Sequence, residues 1–119
     1  MKDNNGFIQT PFAALNTALG GGIPLGKIVE AAGSWSVGKS TLAYQIIGHA
    51  QKQGRPCLLL DAERAYTPSY GAALGVDNAE IDVFRAKTAE EYLDHCIEWM
   101  EQKKNRGGIA IIDAIGALL

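Results

Sequence analysis

The stretch GSWSVGKS, Gly33 to Ser40, constrains this chain more than any other. It matches G-x-x-x-x-G-K-[ST], and it lies between an apolar run bounded by glycines, GKIVEAAG, and the segment KSTLAYQIIGHAQKQG. In that segment Leu42, Ala43, Ile46, Ile47 and Ala50 recur at helical spacing and Gly54 stops the helix. Strand, glycine loop and helix in that order build an anion cradle. Backbone N–H groups turn inward where side chains would obstruct them, and the helix start adds the positive end of its dipole. In such a cradle Lys39 brings a charge to the β- and γ-phosphates, Ser40 offers a hydroxyl to Mg²⁺, and Thr41 can hold the α-phosphate. The competing reading is a glycine-rich strand-to-helix turn with a surface lysine. Trp35, inside the loop, either lies on its outer surface or meets a partner.

The rest of the chain supplies what such a loop needs around it. PCLLLDAE is a continuous apolar run ending in acid, the pattern of a strand covered on both faces in a parallel sheet. IDVFRA is a further strand, and GIAIIDAIGALL is an apolar run broken by Asp113. Helices alternate with these strands. TPFAALNTALGGG reads as a short helix capped by Thr10, with Pro11 at its first position and Gly20 to Gly22 ending it. TPSYGAALGV is another, stopped by Gly75. TAEEYLDHCIEWMEQKK carries a capping box, Thr88 and Glu91, and an apolar stripe of Tyr92, Leu93, Cys96, Ile97 and Met100; Lys103 and Lys104 stand where the helix dipole favours cations. This alternation predicts an α/β fold with right-handed crossovers and a mainly parallel sheet. The 119 residues read as one domain, 1–119, able to bury roughly two thirds of its unfolded surface.

Ligands of open α/β sheets bind beyond the carboxyl ends of the strands. Two runs place acids there: Asp61 and Glu63 after CLLL, and Asp113 after IAII. Asp113 is the expected metal-side acid, because a lone carboxyl in so apolar a run is costly without a partner. Glu63 is placed to polarise a water. Asp61 is either part of the site or a capping carboxylate, and Tyr70 either stacks on a base or fills core.

A formal charge of −2 argues against a non-specific nucleic-acid binder, though it leaves room for a local basic patch. MKDNNGFIQT has no apolar signal core, and no apolar run approaches the ~20 residues of a membrane helix. Cys57 and Cys96 form no CxxC and read as reduced, buried thiols of a cytoplasmic protein; His49 and His95 lack metal-ligand partners.

Together ALGGGIPLGKIVEAAG, the glycine loop, LLDAERAYTPSYGAALGVD and IAIIDAIGALL resemble the RecA family of recombinases, from about Phe7 to the last residue. The DAE-A signature with its following P-x-Y is more specific than the loop alone. The resemblance implies a three-layer P-loop NTPase core, RecA-like and incomplete, of which this chain is the N-terminal part. It implies that Gly33, Ser34, Trp35, Ser36, Val37, Gly38, Lys39, Ser40 and Thr41 cradle ATP, and that Ser40 and Asp113 face Mg²⁺. Glu63 would be the catalytic glutamate beside Lys39, and Tyr70 the tyrosine that packs on adenine. The family binds single-stranded DNA as an ATP-dependent filament and promotes strand exchange. The chain departs from the pattern at Ala114, where Ser is usual, at Thr67, where Asp is common, and in the loop interior SWSV. The family's N-terminal docking helix has no counterpart in MKDNNG. Its DNA-binding loops, its phosphate-sensing glutamine and a strand of the central sheet come later than Leu119. The expectation is weak nucleotide binding with little turnover by this chain alone. The alternative is a non-catalytic nucleotide-binding module, homo-oligomeric or paired with a longer RecA-like partner. A hexameric helicase core is disfavoured by DAERAYTP.

Overall fold

The computed structural model describes residues 6–24 and 36–113, with the backbone alone for Pro24 and residues 36–39. The strand expected over GKIVEAAG, the loop residues Gly33, Ser34 and Trp35, and Ala114 lie outside the described residues.

The chain opens with β1 (Phe7–Ile8), α1 (Ala13–Ala18) and β2 (Ile23–Pro24), the two strands pairing antiparallel with Ile8 opposite Ile23. Thr10 does not cap α1 as expected; Phe12 stands at the N-cap with no side-chain bond. Thr10 is engaged elsewhere, its backbone N–H and its hydroxyl donating to Asn16 Oδ1 at 2.9 and 2.7 Å. A local polar clasp has outcompeted the cap, which delays the helix start beyond Pro11. The glycines after α1 do end it: Gly22 sits at φ 131°, and a Cβ there would come 2.6 Å from the Ile8 carbonyl oxygen.

The larger unit follows as α2 (Ser36–Lys52), β3 (Cys57–Asp61), α3 (Pro68–Ala73), β4 (Asp82–Phe84), α4 (Ala89–Glu101), a 3₁₀ turn at Lys103–Asn105, and β5 (Ile109–Asp113). Among the described residues these strands form a parallel sheet in the order β4-β3-β5. Every residue of β3 is buried, as its unbroken apolar run predicts. Its side chains alternate between two cores. Cys57 and Leu59 pack with Tyr44, Ile47 and Ala50 of α2, while Leu58 and Leu60 pack with Tyr92 and Trp99 of α4. The fold is therefore α/β with three layers, a helix on each face of a parallel sheet. Each such Leu, taken fully from water, contributes about 1.5–3 kcal/mol.

α2 runs close to the end of α3. A Cβ on Gly48 would lie 2.5 Å from the Gly75 carbonyl oxygen, so only glycine permits that approach. Gly75 itself takes φ 100° and stops α3, as the sequence predicts.

α4 corrects the expected stripe. Tyr92 and Trp99 are buried, Cys96 is half-buried, and Leu93, Ile97 and Met100 are 52%, 56% and 62% exposed. Two parallel stripes, 92–96–99 and 93–97–100, share this helix. The sheet takes the one that carries the two large rings, and Trp99 gains a hydrogen bond from its Nε1 to Asp82 Oδ2 at 2.7 Å. Thr88 caps the helix by accepting the Glu91 N–H at 3.2 Å, and its hydroxyl meets the Glu91 carboxylate at 3.1 Å. Lys103 and Lys104 fall in the 3₁₀ turn beyond the last turn of α4, not within it.

Candidate functional site at the carboxyl edge of the sheet

The register of β3 and β5 sets Asp61 directly beside Asp113 at the carboxyl ends of both strands. Both carboxylates are buried, at 0% and 6% exposure, yet they have different partners.

Asp61 is used by the fold. Its carboxylate accepts the Ala65 N–H at 3.1 Å and the Tyr66 N–H at 3.2 Å, which ties down the turn after β3. Arg85, just beyond β4, reaches the same carboxylate from Nε at 2.9 Å and from a terminal nitrogen at 2.8 Å. Of the two readings the sequence leaves open, the capping carboxylate is the one observed. Arg85 is a partner that sequence reasoning missed.

Asp113 faces the start of α2. The Ser40 hydroxyl donates to Asp113 Oδ2 at 2.7 Å, joining residues 73 apart in the chain. The motif's last residue and the acid of β5 are thus in direct contact. α2 begins at Ser36, so Ser36, Val37, Gly38 and Lys39 form its first turn. Glu63 is exposed on the turn that follows β3, and its backbone N–H donates to the Asp113 carbonyl at 3.0 Å, so it shares this edge with Asp113. Next to it, Arg64 takes φ 57° and donates to the Ala86 carbonyl at 2.8 Å.

Tyr70 closes the other side. It lies in α3, whose N-cap Thr67 accepts its N–H at 3.4 Å with Pro68 in the first turn. The residue is 41% exposed, which removes the core reading. Its hydroxyl is 2.6 Å from Thr41 Oγ1, the residue that follows the motif. Behind it stands Tyr44, 1% exposed, whose ring meets Tyr70 edge-on at 5.8 Å and Tyr66 edge-on at 5.1 Å. Burial above all, with the carboxylates of Asp113 and Asp61 nearby, pushes the Tyr44 phenol well above its ordinary ionisation range. Burial likewise raises Tyr66. Tyr44 was missed in the sequence, although it sits three residues before Ile47 on the same helical arc.

The remaining titratable candidates stay apart from this edge. Burial holds the Cys57 thiol up at about 12, partly opposed by Arg55, and also raises Cys96. Both cysteines are free. His95 stacks on Phe84 at 3.7 Å. Among the described residues no cluster of three or more His, Cys, Asp or Glu could hold a metal ion. No helix among them is long and apolar enough to cross a membrane. Two surface concavities lie elsewhere, one between β1 and α1 and one beside α3 along Tyr66 and Arg85.

A serine hydroxyl and a carboxylate in contact at a helix start can share a hard cation, and the donor oxygens suit Mg²⁺ held jointly with phosphate. With this geometry in view, the comparisons with known proteins are specific. The chain is 42% identical over 112 residues to Protein RecA of Marinobacter nauticus, covering 93% of this chain and 32% of that protein. It is 42% identical over 113 residues to Protein RecA of Chloroflexus aurantiacus, covering 94% and 32%. The chain thus spans about a third of the length of these relatives. The family model described as RecA N-terminal domain matches residues 3–119. The match covers nearly the whole chain and fits its α/β fold, and the chain belongs to the RecA N-terminal domain family.

Proposed function

We propose that this chain is the ATP-binding part of a RecA-type protein of homologous recombination and DNA repair. The observation that carries the reading is the 2.7 Å hydrogen bond from Ser40 to Asp113, which joins the phosphate-loop motif to the acid of a neighbouring strand end. In this reading Gly33 to Thr41 cradle the phosphates, and Lys39 neutralises the β- and γ-phosphate charge. Ser40 and Asp113 hold Mg²⁺, which when bound with ATP offsets charge on the phosphates. Glu63 orients the attacking water from the exposed turn, and Tyr70 presents its ring to adenine. Single-stranded DNA, filament assembly with further copies and strand exchange belong to the whole protein in this reading. Its setting is cytoplasmic.

Titration of the 119-residue chain with magnesium-loaded ATP tests it. The expected result is measurable but weak binding heat that disappears in Lys39→Ala, with little hydrolysis and no stimulation by single-stranded DNA. Absence of heat, or a Lys39→Ala chain that binds as the parent does, would overturn the assignment. Robust DNA-stimulated turnover would refute the expectation that hydrolysis needs more than these residues.

A further inference from the structure

Behind the proposed base platform lies an arrangement that the nucleotide reading does not use. Tyr70 is the exposed member of three tyrosines in edge-on contact. Tyr44, buried in α2, touches Tyr70 at 5.8 Å and 77° on one side and Tyr66 at 5.1 Å and 87° on the other. Tyr66 is fixed in turn: its N–H donates to Asp61, its carbonyl accepts from Arg85 at 2.8 Å, and its hydroxyl donates to Asn78. The Tyr70 hydroxyl is held at the far end by Thr41. A ring held by its hydroxyl alone keeps a free torsion about its long axis. An aromatic edge against it removes that freedom and presets the face that a base would meet.

We propose that Tyr44 is a positioning residue for the Tyr70 platform, fixing the ring through their T-shaped contact and thereby setting how strongly a purine base binds. This rests on the nucleotide reading above. The ring does the work, because the Tyr44 hydroxyl has no hydrogen-bond partner among the described residues. Tyr44 sits one helical turn after Ser40 and three residues after Thr41, so the helix that carries the phosphate ligands also carries the support of the base platform.

The test separates base from phosphate. Binding of ATP and of inorganic tripolyphosphate, both with Mg²⁺, is measured by calorimetry on the 119-residue chain and on Tyr44→Phe and Tyr44→Leu. The parent is expected to prefer ATP. Tyr44→Leu should weaken ATP about three- to tenfold, the size of one aromatic contact, and leave tripolyphosphate unchanged. Tyr44→Phe should keep the preference. An unchanged ATP-to-tripolyphosphate ratio in Tyr44→Leu overturns the inference and leaves the nucleotide reading standing. A parent that binds neither ligand overturns both. Should Tyr44→Leu fail to fold, ring-proton resonances of the parent decide. Tyr44 and Tyr70 are expected to shift together on adding ATP, and further than on adding tripolyphosphate; a Tyr44 that stays still while Tyr70 shifts overturns the inference.

Discussion

Replacing Arg85 by Met should be far more costly than the exposure of its side chain suggests, and removing the charge of Asp61 should then repair part of the damage. Arg85 is 41% exposed and Asp61 is 0% exposed, so the pair is a surface bridge at one end and a buried charge at the other. Exposed pairs are worth about 0–1 kcal/mol, whereas removing one partner of a buried pair costs about 3–5 kcal/mol by stranding the other. The buried end decides, since Arg85→Met strands a carboxylate rather than a guanidinium. The Ala65 and Tyr66 N–H groups still bond that carboxylate. They hold the cost near the lower bound, about 3 kcal/mol. Asp61→Asn on the Arg85→Met background removes the stranded charge and keeps an acceptor for the buried Tyr66 N–H, which should recover about 1–2 kcal/mol. Urea unfolding followed by far-UV circular dichroism measures both. With a slope of about 1–3 kcal/mol/M, the single substitution should lower the midpoint by about 1–3 M. A loss under about 0.5 kcal/mol in Arg85→Met, or a double variant no more stable than the single one, would refute the reasoning.

Two further perturbations address other parts of the fold. Gly48→Ala gains about 1 kcal/mol of helix propensity, but its Cβ meets the Gly75 carbonyl oxygen at 2.5 Å and backbone cannot step aside cheaply. Overpacking of about 1–3 kcal/mol should win, giving a net loss of up to about 2 kcal/mol in thermal or urea unfolding, and a stabilised Gly48→Ala would contradict the close approach. The second concerns pH. A thiol ionises near 9.0 when exposed, and burial holds Cys57 up at about 12. The unfolded chain therefore releases this proton first, so the contribution is fully present below the unfolded value and is lost as pH rises through the folded one. Tyr44 and Tyr66 are raised as well and act in the same direction. The urea midpoint should fall as pH rises from about 9 towards about 12, and less steeply in Cys57→Ala; an equal slope in both chains would contradict the burial of that thiol.

What the sequence discloses here depends on whether a signal is local. The CLLLD run could be read as a strand covered on both faces because an unbroken apolar run of strand length suits a parallel sheet between helices, and all five positions are buried. The pairing of Ser40 with Asp113 follows from fold logic, since acids at strand ends and a loop at a helix start share one edge. The partner of Asp61 was not legible, because it depends on which strand lies beside β3. The register of Leu60 with Phe84 then puts Arg85 within reach. α4 shows the same limit at the level of a helix. Periodicity finds apolar stripes, but the choice between Tyr92–Cys96–Trp99 and Leu93–Ile97–Met100 belongs to the shape of the sheet beneath. Tyr44 escaped notice for a different reason: a tyrosine with a polar end counts poorly as core, although its ring here is fully enclosed.

β3 is bordered by a strand that follows it, β4, and by another that arrives much later, β5. On the ribosome, where about 5–20 residues are added each second, Leu58 to Leu60 emerge seconds before Ile109 to Ile112 can lie alongside them. Until then one flank of β3 is unzipped. Asp113 is the final residue of that later strand, so Ser40 meets its acid only once β5 has been made. The contact between Ser40 and Asp113 therefore waits on the arrival of β5, and a chain interrupted before that strand does not have it.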